Sequence, residues 1–350
     1  MSGVSVLIPV HNAGSALLDT LRAVLNQRTP HLTLDIILVD DGSQDGAVAD
    51  AVSRLTDVQM TVLRTECVGA SAALNAGLTH VRHPFVAQVD QDVVLHGEWL
   101  TRLLAGFDAP DVGAVQGQYV TDERAGFFAR VMGRDLQERY AAIADDTTHV
   151  CTGNTVYRTD ALRAVGGFDE AMGYGYDNDV SYRLRRAGFR LRYCGEAQST
   201  HRWRDGLLGY LQQQYGFGYG RLDVVLKHRD HAGGDSVSPT FMMLHPIVLA
   251  IALCAAVAAT LRTWSGVEGM LAVVLIALLM GERAVAGVRA AWRFRDWTPL
   301  AFPVVHLLRD AAWVAAIGVW ALRRLAGAAM LPRHSMTARP VESRESALAD

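Results

Sequence analysis

Val4-Ser5-Val6-Leu7-Ile8-Pro9-Val10-His11-Asn12 is a short aliphatic and β-branched run that ends in a proline, an imidazole and a carboxamide. Similar runs recur through the first two-thirds of the chain. Asp35 to Val39, Met60 to Arg64, Phe85 to Val89 and Gly113 to Val120 read as further strands. Between them, Ser15 to Gln27, Gly46 to Leu55, Ala70 to Val81 and Glu98 to Phe107 space their apolar residues at helical intervals. Strands alternating with helices of this length predict an α/β fold, a doubly wound and mostly parallel sheet with right-handed crossovers.

Open sheets of this kind bind ligands beyond the carboxyl ends of their strands, where loops diverge and helix amino termini point into the gap. The first strand ends at Pro9-Val10-His11-Asn12, the second at Asp40-Asp41-Gly42-Ser43 and the fourth at Asp90-Gln91-Asp92. All three polar segments are expected on one edge. Asp90 and Asp92 offer hard oxygen ligands to a divalent cation and, through it, to a diphosphate. A solvated turn that caps a helix is the plainer reading of the same triplet. Asp40 and Asp41 can accept from a base N–H or a ribose hydroxyl, or can close an Asx-turn.

Composition narrows the field. Half of the 350 residues are hydrophobic, enough for a substantial core. The 33 lysines and arginines against 36 acidic residues leave no overall basic surface, so no nucleic-acid partner is expected. Cys67, Cys151, Cys194 and Cys254 lie far apart with no Cys-x-x-Cys pair, which argues against a zinc site or a disulfide framework and for a reducing compartment. Lys227 is the single lysine, so the chain has no Gly-Lys-Ser/Thr phosphate loop. The amino terminus lacks the charged start, apolar middle and cleavage site of a signal peptide, and the first domain is expected in the cytosol.

After Arg204 the character changes. Residues 206–240 include a stretch rich in Tyr, Gln and Gly that reads as an amphipathic, interfacial linker, its rings at headgroup depth or stacked on a sugar. Phe241 to Leu261 is long enough to cross a hydrocarbon layer that needs about 20 residues. Val267 to Gly281 would have to extend past Glu282 and Arg283 to do so, and Leu300 to Leu322 carries Arg309 and Asp310 near its middle. Two or three membrane or interfacial helices are therefore expected over 241–325, with a disordered tail over 326–350. Arginines 283, 289, 293 and 295 favour a cytoplasmic loop after the second apolar run.

With those positions in view, a family resemblance emerges. Val4 to Asn12, Val39-Asp40-Asp41-Gly42-Ser43, Asn75-Ala76-Gly77, Val89-Asp90-Gln91-Asp92, Thr152-Gly153-Asn154, Gly166-Gly167-Phe168-Asp169-Glu170, Asp177-Asn178-Asp179, Arg183-Leu184-Arg185-Arg186-Ala187-Gly188 and then His201 follow one another in an order that resembles the nucleotide-sugar domain of family 2 glycosyltransferases, of the GT-A type. The match runs from residue 4 to about 205, the extent read here as one catalytic domain. The apolar tail and the segment from Gln213 to Arg221 are similar to membrane-anchored members that assemble exopolysaccharides.

The resemblance implies that Pro9, His11, Asn12, Asp40, Asp41, Asn75, Gly77, Gly153 and Asn154 contact the donor, and that Asp90, Asp92 and His201 lie at an Mg²⁺ or Mn²⁺ ion. It implies a general base at Asp177 or Asp179, left open because Tyr176 stands where many members have a glutamate. Both aspartates also suit a helix amino terminus. Leu74 replaces an arginine found in some relatives, and Arg158 or Arg183 could stand in for it.

Inverting transfer is a displacement at the anomeric carbon, so a carboxylate must take the acceptor's proton while a cation steadies the departing diphosphate. The expected function is thus transfer from a nucleotide-sugar donor to a lipid-linked or polysaccharide acceptor. The expected place is the cytoplasmic face of the inner (plasma) membrane, in a multi-pass protein in contact with membrane lipids. A nucleotidyltransferase and a non-catalytic nucleotide-sugar-binding scaffold are the alternatives.

Overall fold

The computed structural model describes residues 2–261 and 266–327. At the centre of its sheet lies β1 (Ser2–Val10), paired in parallel with β2 (Leu32–Asp41) on one side and β4 (Phe85–Val89) on the other, with β3 (Met60–Thr65) outside β2. The connections are α1 (Ala16–Leu25), α2 (Ala47–Arg54) and α3 (Ala70–Leu78), close to the expected bounds.

Successive residues of β1 face opposite sides of the sheet, as strand geometry requires. Val4, Val6, Ile8 and Val10 pack in one core layer with Leu17 and Leu21 of α1. Leu7 packs in the other with Ala73 and Leu74 of α3. The close approach of α3 depends on Gly77, because a Cβ there would stand 2.2 Å from Leu7 Cδ1 and 2.9 Å from Val39 Cγ2.

Beyond β4 the sheet departs from a purely parallel arrangement. After β5 (Val93–Leu95), α4 (Trp99–Ala105), β6 (Val112–Val120), α5 (Phe127–Tyr140) and β7 (Asp146–Thr147), strand β8 (Asn154–Arg158) inserts antiparallel between β4 and β6. Then come α6 (Thr159–Ala164), α7 (Tyr176–Arg186) and β9 (Arg190–His201), which pairs in parallel with β6 and antiparallel with β5 and β7. The order is β3-β2-β1-β4-β8-β6-β9-β5. Four ladders are parallel and four antiparallel among the described residues, the parallel ones being the longer set. Strand β8 escaped the strand reading because Asn154, Thr155 and Arg158 interrupt its hydrophobicity, although Asn154 and Thr155 are fully buried.

The chain continues as α8 (Leu207–Lys227), α9 (Thr240–Leu261), α10 (Gly266–Phe294) and α11 (Phe302–Leu325). Thr240–Leu261, Gly266–Phe294 and Thr298–Leu325, with mean hydropathies of 2.3, 2.0 and 1.5, are three helical stretches long and apolar enough to cross a membrane. The second apolar run does extend through Glu282 and Arg283. Arg309 and Asp310 pair with each other at 2.9 Å and are buried, His245 Nδ1 lying 3.4 Å from Asp310. Each charge thus has a partner, which the cost of an ionised group in an apolar environment demands.

Helix α5 joins the sheet to this bundle. Its Arg130 and Arg134 lie 2.5 and 2.9 Å from the buried Asp296, between α10 and α11. Burial alone would raise the Asp296 carboxyl, but hydrogen bonds from Thr298 and from the two guanidinium groups bring it below the usual range. The expected disordered tail falls almost wholly on residues 328–350, outside the described residues.

Candidate active site

The three polar strand ends do meet, and side chains from one hold the backbone of another. Gln91 Oε1 accepts from the His11 amide at 2.7 Å, and Gln91 Nε2 donates to the His11 carbonyl at 3.2 Å. The His11 ring lies 2.7 Å from the Asp41 carbonyl through Nδ1 and 3.0 Å from Asn12 through Nε2. Asn12 donates its backbone amide to Ser43 Oγ and accepts from the Gln44 amide through Oδ1, tying the β1 loop to the β2 loop.

Asp41 is largely taken up by the protein. Its carboxylate accepts from Thr65 Oγ1, the Val68 amide and the Gly69 amide at 2.7, 2.7 and 2.8 Å. A carboxylate has about four acceptor positions, so room for one ligand donor remains. Asp40 closes an Asx-type turn on the Ser43 amide and pairs with Arg64 at 2.5 Å. The Arg64 side chain is 63% exposed, so it is the cation at this rim. Leu74 lies in the core, Arg158 stacks on Phe85 and Phe107, and Arg183 binds Asp179 and the Val165 and Gly167 carbonyls. Both arginines are thus engaged by the protein itself.

The second corner gathers Asp90, Asp92 and His201. His201 Nε2 lies 3.6 Å from Asp92 Oδ1, and its buried Nδ1 has no hydrogen-bond partner. Its ring stacks on Trp203 at 4.2 Å and meets Tyr119 edge-on. Gln88 donates to Asp90 at 2.9 Å. Gly153, at φ +91°, lets its backbone lie against Asp90, since a Cβ there would come within 2.2 Å of Oδ2. Burial, then the neighbouring Asp92, push the Asp90 carboxyl up to about 6, while His201 and Gln88 oppose them. Two carboxylates that act on each other, an imidazole Nε2 facing one of them and a side-chain-free neighbour suit a divalent cation, and the mixed oxygen and nitrogen donors suit Mn²⁺ at least as well as Mg²⁺.

The two aspartates that open α7 have different fates. Asp179 is fully buried, with Lys227 at 2.6 Å, Arg183 at 2.6 Å and His228 at 2.8 Å. Burial would raise its carboxyl, yet these partners hold it below the ordinary range. Asp179 therefore anchors α7 to the segment after α8, and no lone pair is left for an acceptor. Asp177 is partly open, its side chain 27% exposed, and its charge acts on Asp90. Of the pair, only Asp177 has the access a base needs.

Of the residues expected at the donor, Gly77 and Asn154 are buried and Asn75 is half-buried, and all three are engaged by the protein itself. Asn75 brackets Phe168, accepting from its amide at 2.9 Å and donating to its carbonyl at 2.8 Å, so it fixes the loop before α7. Gly77 serves helix packing. Asn154 is fully buried and accepts from the Trp99 indole at 2.6 Å. Conversely, Gln88 and Gln91 escaped attention in the sequence, because a glutamine in or after a strand carries no pattern of its own. His149, Asp235 and Arg221 were missed too, being separated from Asp177 by many residues. His149, Cys151 and Asp177 bring ligand-type atoms within 4.8 Å of one another. However, the Tyr140 hydroxyl donates to Cys151 at 3.1 Å and burial pushes that thiol up to about 12, so Cys151 remains a neutral thiol here.

Comparison with known proteins settles which family this arrangement represents. The family model described as "Glycosyl transferase family 2" matches residues 5–166, the stretch that supplies His11, Asp41, Asp90, Asp92 and Gly153. Residues 5–166 form a family 2 glycosyltransferase domain. The chain is 31% identical over 297 residues to a pre-mycofactocin glycosyltransferase of Mycobacterium tuberculosis, covering 82% of this chain but 58% of that protein. The succinoglycan biosynthesis protein ExoA of Rhizobium meliloti is 27% identical over 242 residues, covering 65% of this chain and 72% of that protein. In three dimensions the fold of the family 2 domain and its helices is similar to a mannosyltransferase of Pyrobaculum calidifontis, solved with GDP-Man and Mn²⁺, at a TM-score of 0.60 and 19% identity over 92% of this chain and 86% of that one. It is similar also to residues 1–349 of Staphylococcus aureus TarS, solved with UDP-GlcNAc, at 0.52 and 15% identity over 94% and 93%.

Proposed function

We propose that this protein is an inverting, divalent-cation-dependent glycosyltransferase. It moves a sugar from a nucleoside-diphosphate donor to a lipid-linked or glycan acceptor at the cytoplasmic face of the inner membrane, where its three apolar helices hold it. The observation that carries this reading is the placement of one partly open carboxylate, Asp177, whose charge acts on Asp90, itself flanked by Asp92 and His201. GDP-Man with Mn²⁺ in one structural neighbour and UDP-GlcNAc in another support a nucleotide-sugar donor and a metal.

In this reading the loops of β1 and β2 receive the nucleotide, with the remaining acceptor position of Asp41 and the exposed Arg64 at the rim. Asp90, Asp92 and His201 would hold Mg²⁺ or Mn²⁺. When bound, the ion supplies Lewis-acid stabilisation of the charge that grows on the leaving diphosphate. Asp177 takes the proton of the acceptor hydroxyl as it attacks the anomeric carbon, a role that contributes about 10²- to 10⁴-fold in rate. Tyr119 and Trp203 pack against the His201 ring and against each other. Lys227, the one lysine, is held 2.6 Å from both Asp169 and Asp179, so it is not free to grip a triphosphate, which weighs against nucleotidyl transfer.

The test is a screen of the detergent-solubilised protein with Mn²⁺ or Mg²⁺ and a panel of UDP-, GDP- and dTDP-sugars, scored by nucleotide release and sugar transfer. One donor turned over in a metal-dependent way, and lost in Asp177→Asn, supports the reading. Pyrophosphate release from a nucleoside triphosphate and a sugar phosphate overturns it.

A further inference from the structure

The search for further chemistry leads beneath the base, to a buried group that the reaction outlined above does not use. His149 follows β7 and is 5% exposed. Its Nε2 lies 3.4 Å from Asp177 Oδ2 and its Nδ1 3.7 Å from Asp235 Oδ1, and neither nitrogen has a well-aligned hydrogen bond. An imidazole held between two carboxylates, away from water, has only those two partners to justify its burial.

Asp235 is itself tightly built in. Its side chain is fully buried and accepts from Arg221 at 3.1 Å, Tyr182 Oη at 3.0 Å, Asn178 Nδ2 at 3.0 Å, and the Val237 and Ser238 amides. Arg221 comes from α8, and Asp235 from the segment between α8 and α9. Asn178 and Tyr182 belong to α7, the helix that begins with the base. The bracket therefore joins the base to the segment that leads into the first apolar helix.

We infer that His149 is a positioning residue for the transfer reaction, fixing the Asp177 carboxylate from below while Asp235 and Arg221 fix His149. The inference rests on Asp177 being the base. Counted as ions, Asp177, Asp235, His149 and Arg221 sum to zero when the imidazole is protonated, so the buried members and the partly open Asp177 balance among themselves. Burial alone would keep His149 neutral, but Asp235 and then Asp177 outweigh it and shift the ring upward, with Arg221 opposing. The other groups around the ring are Tyr182 on α7 and Cys151 on its own segment, with Tyr140 and Arg139 of α5 beyond Cys151.

Removing His149 thus removes a positive charge beside the base as well as a contact. The base works only when ionised, so losing that charge moves the acid limb of the kcat profile to higher pH.

The experiment is kcat and donor KM against pH for the full-length protein in detergent, in wild type, Asp177→Asn, His149→Gln and Asp235→Asn, with donor affinity measured by calorimetry. For His149→Gln the expected result is a drop in kcat of about 10- to 100-fold, donor KM within about two-fold, and an acid limb displaced upward by about one pH unit. Asp235→Asn, nearly isosteric, should move the limb the same way by less, and carries the test should His149→Gln fail to fold. A wild-type acid limb in both variants, with Asp177→Asn inactive, overturns the inference and leaves the base in place. Activity retained in Asp177→Asn instead removes the base reading itself.

Discussion

The two halves of the sheet are built by different rules. From β3 to β4 every ladder is parallel, each crossover is a helix, and the polar residues sit at strand ends a few positions from the apolar runs that place them. From β8 onward parallel and antiparallel ladders mix, β6 and β9 shift register within their own pairing, and the chemistry comes from loops and a helix start. In the proposed function the first half is the platform for the nucleotide. The second joins the proposed reaction centre to the apolar helices, and there a residue's neighbours lie far away along the chain.

If that division is right, the largest effect should come from the second half. Asp177→Asn should lower kcat by about 10³-fold while donor affinity stays within a few-fold, as read by product formation and calorimetry. Turnover near wild type would move the base elsewhere and dissolve the contrast. Next is Asp92→Ala, which should abolish metal-dependent donor binding by calorimetry with Mn²⁺, because Asp90 and His201 cannot complete the cation's shell alone. Wild-type affinity in that variant would shift the metal away from this corner.

The core beneath the platform gives a stability counterpart. Leu7→Ala should cost about 2 to 5 kcal/mol, read as a fall in unfolding midpoint, since Leu7 is fully buried and closely packed against Gly77. A smaller change is expected at Gln91. Gln91→Ala should raise donor KM by about ten-fold with little change in kcat, because the pair of hydrogen bonds to His11 shapes the nucleotide loop and touches nothing that reacts.

The mildest effect concerns acidity. Asp90 in the free protein sits near 6, so protons compete with the cation below that value; metal affinity should rise with pH through about 6 and then flatten. Proton release on Mn²⁺ binding, compared at pH 5.5 and 7.5, checks the direction, and equal affinity at both would count against Asp90 as a ligand.

Legibility in the sequence followed the same divide. Strands β1 to β4 and the three polar strand ends could be read directly, because a parallel strand carries its own hydrophobic signature and its ligand residues follow at once. Strand β8 could not, since Asn154 and Thr155 are polar yet buried, and burial of a polar residue depends on partners such as Trp99 that local sequence does not show. The order of motifs suggested a donor contact for Asn75, Gly77 and Asn154, but their partners within the protein are set by the fold and could not be read from that order. The choice between Asp177 and Asp179 waited for the same reason on Lys227, His228 and Arg183, which surround only one of them. His149 and Asp235, 86 positions apart by their numbering, meet only through the fold.

The paired grip of Arg130 and Arg134 on Asp296 also has a geometric meaning for catalysis. That grip ties the sheet directly to the turn between α10 and α11, so with the apolar helices in a membrane, as proposed, it would set the height of the cleft above the lipid surface. On the proposed function, an enzyme held in this way would act as a ruler, favouring hydroxyls that project a particular distance from the bilayer and passing over those that lie deeper or extend farther.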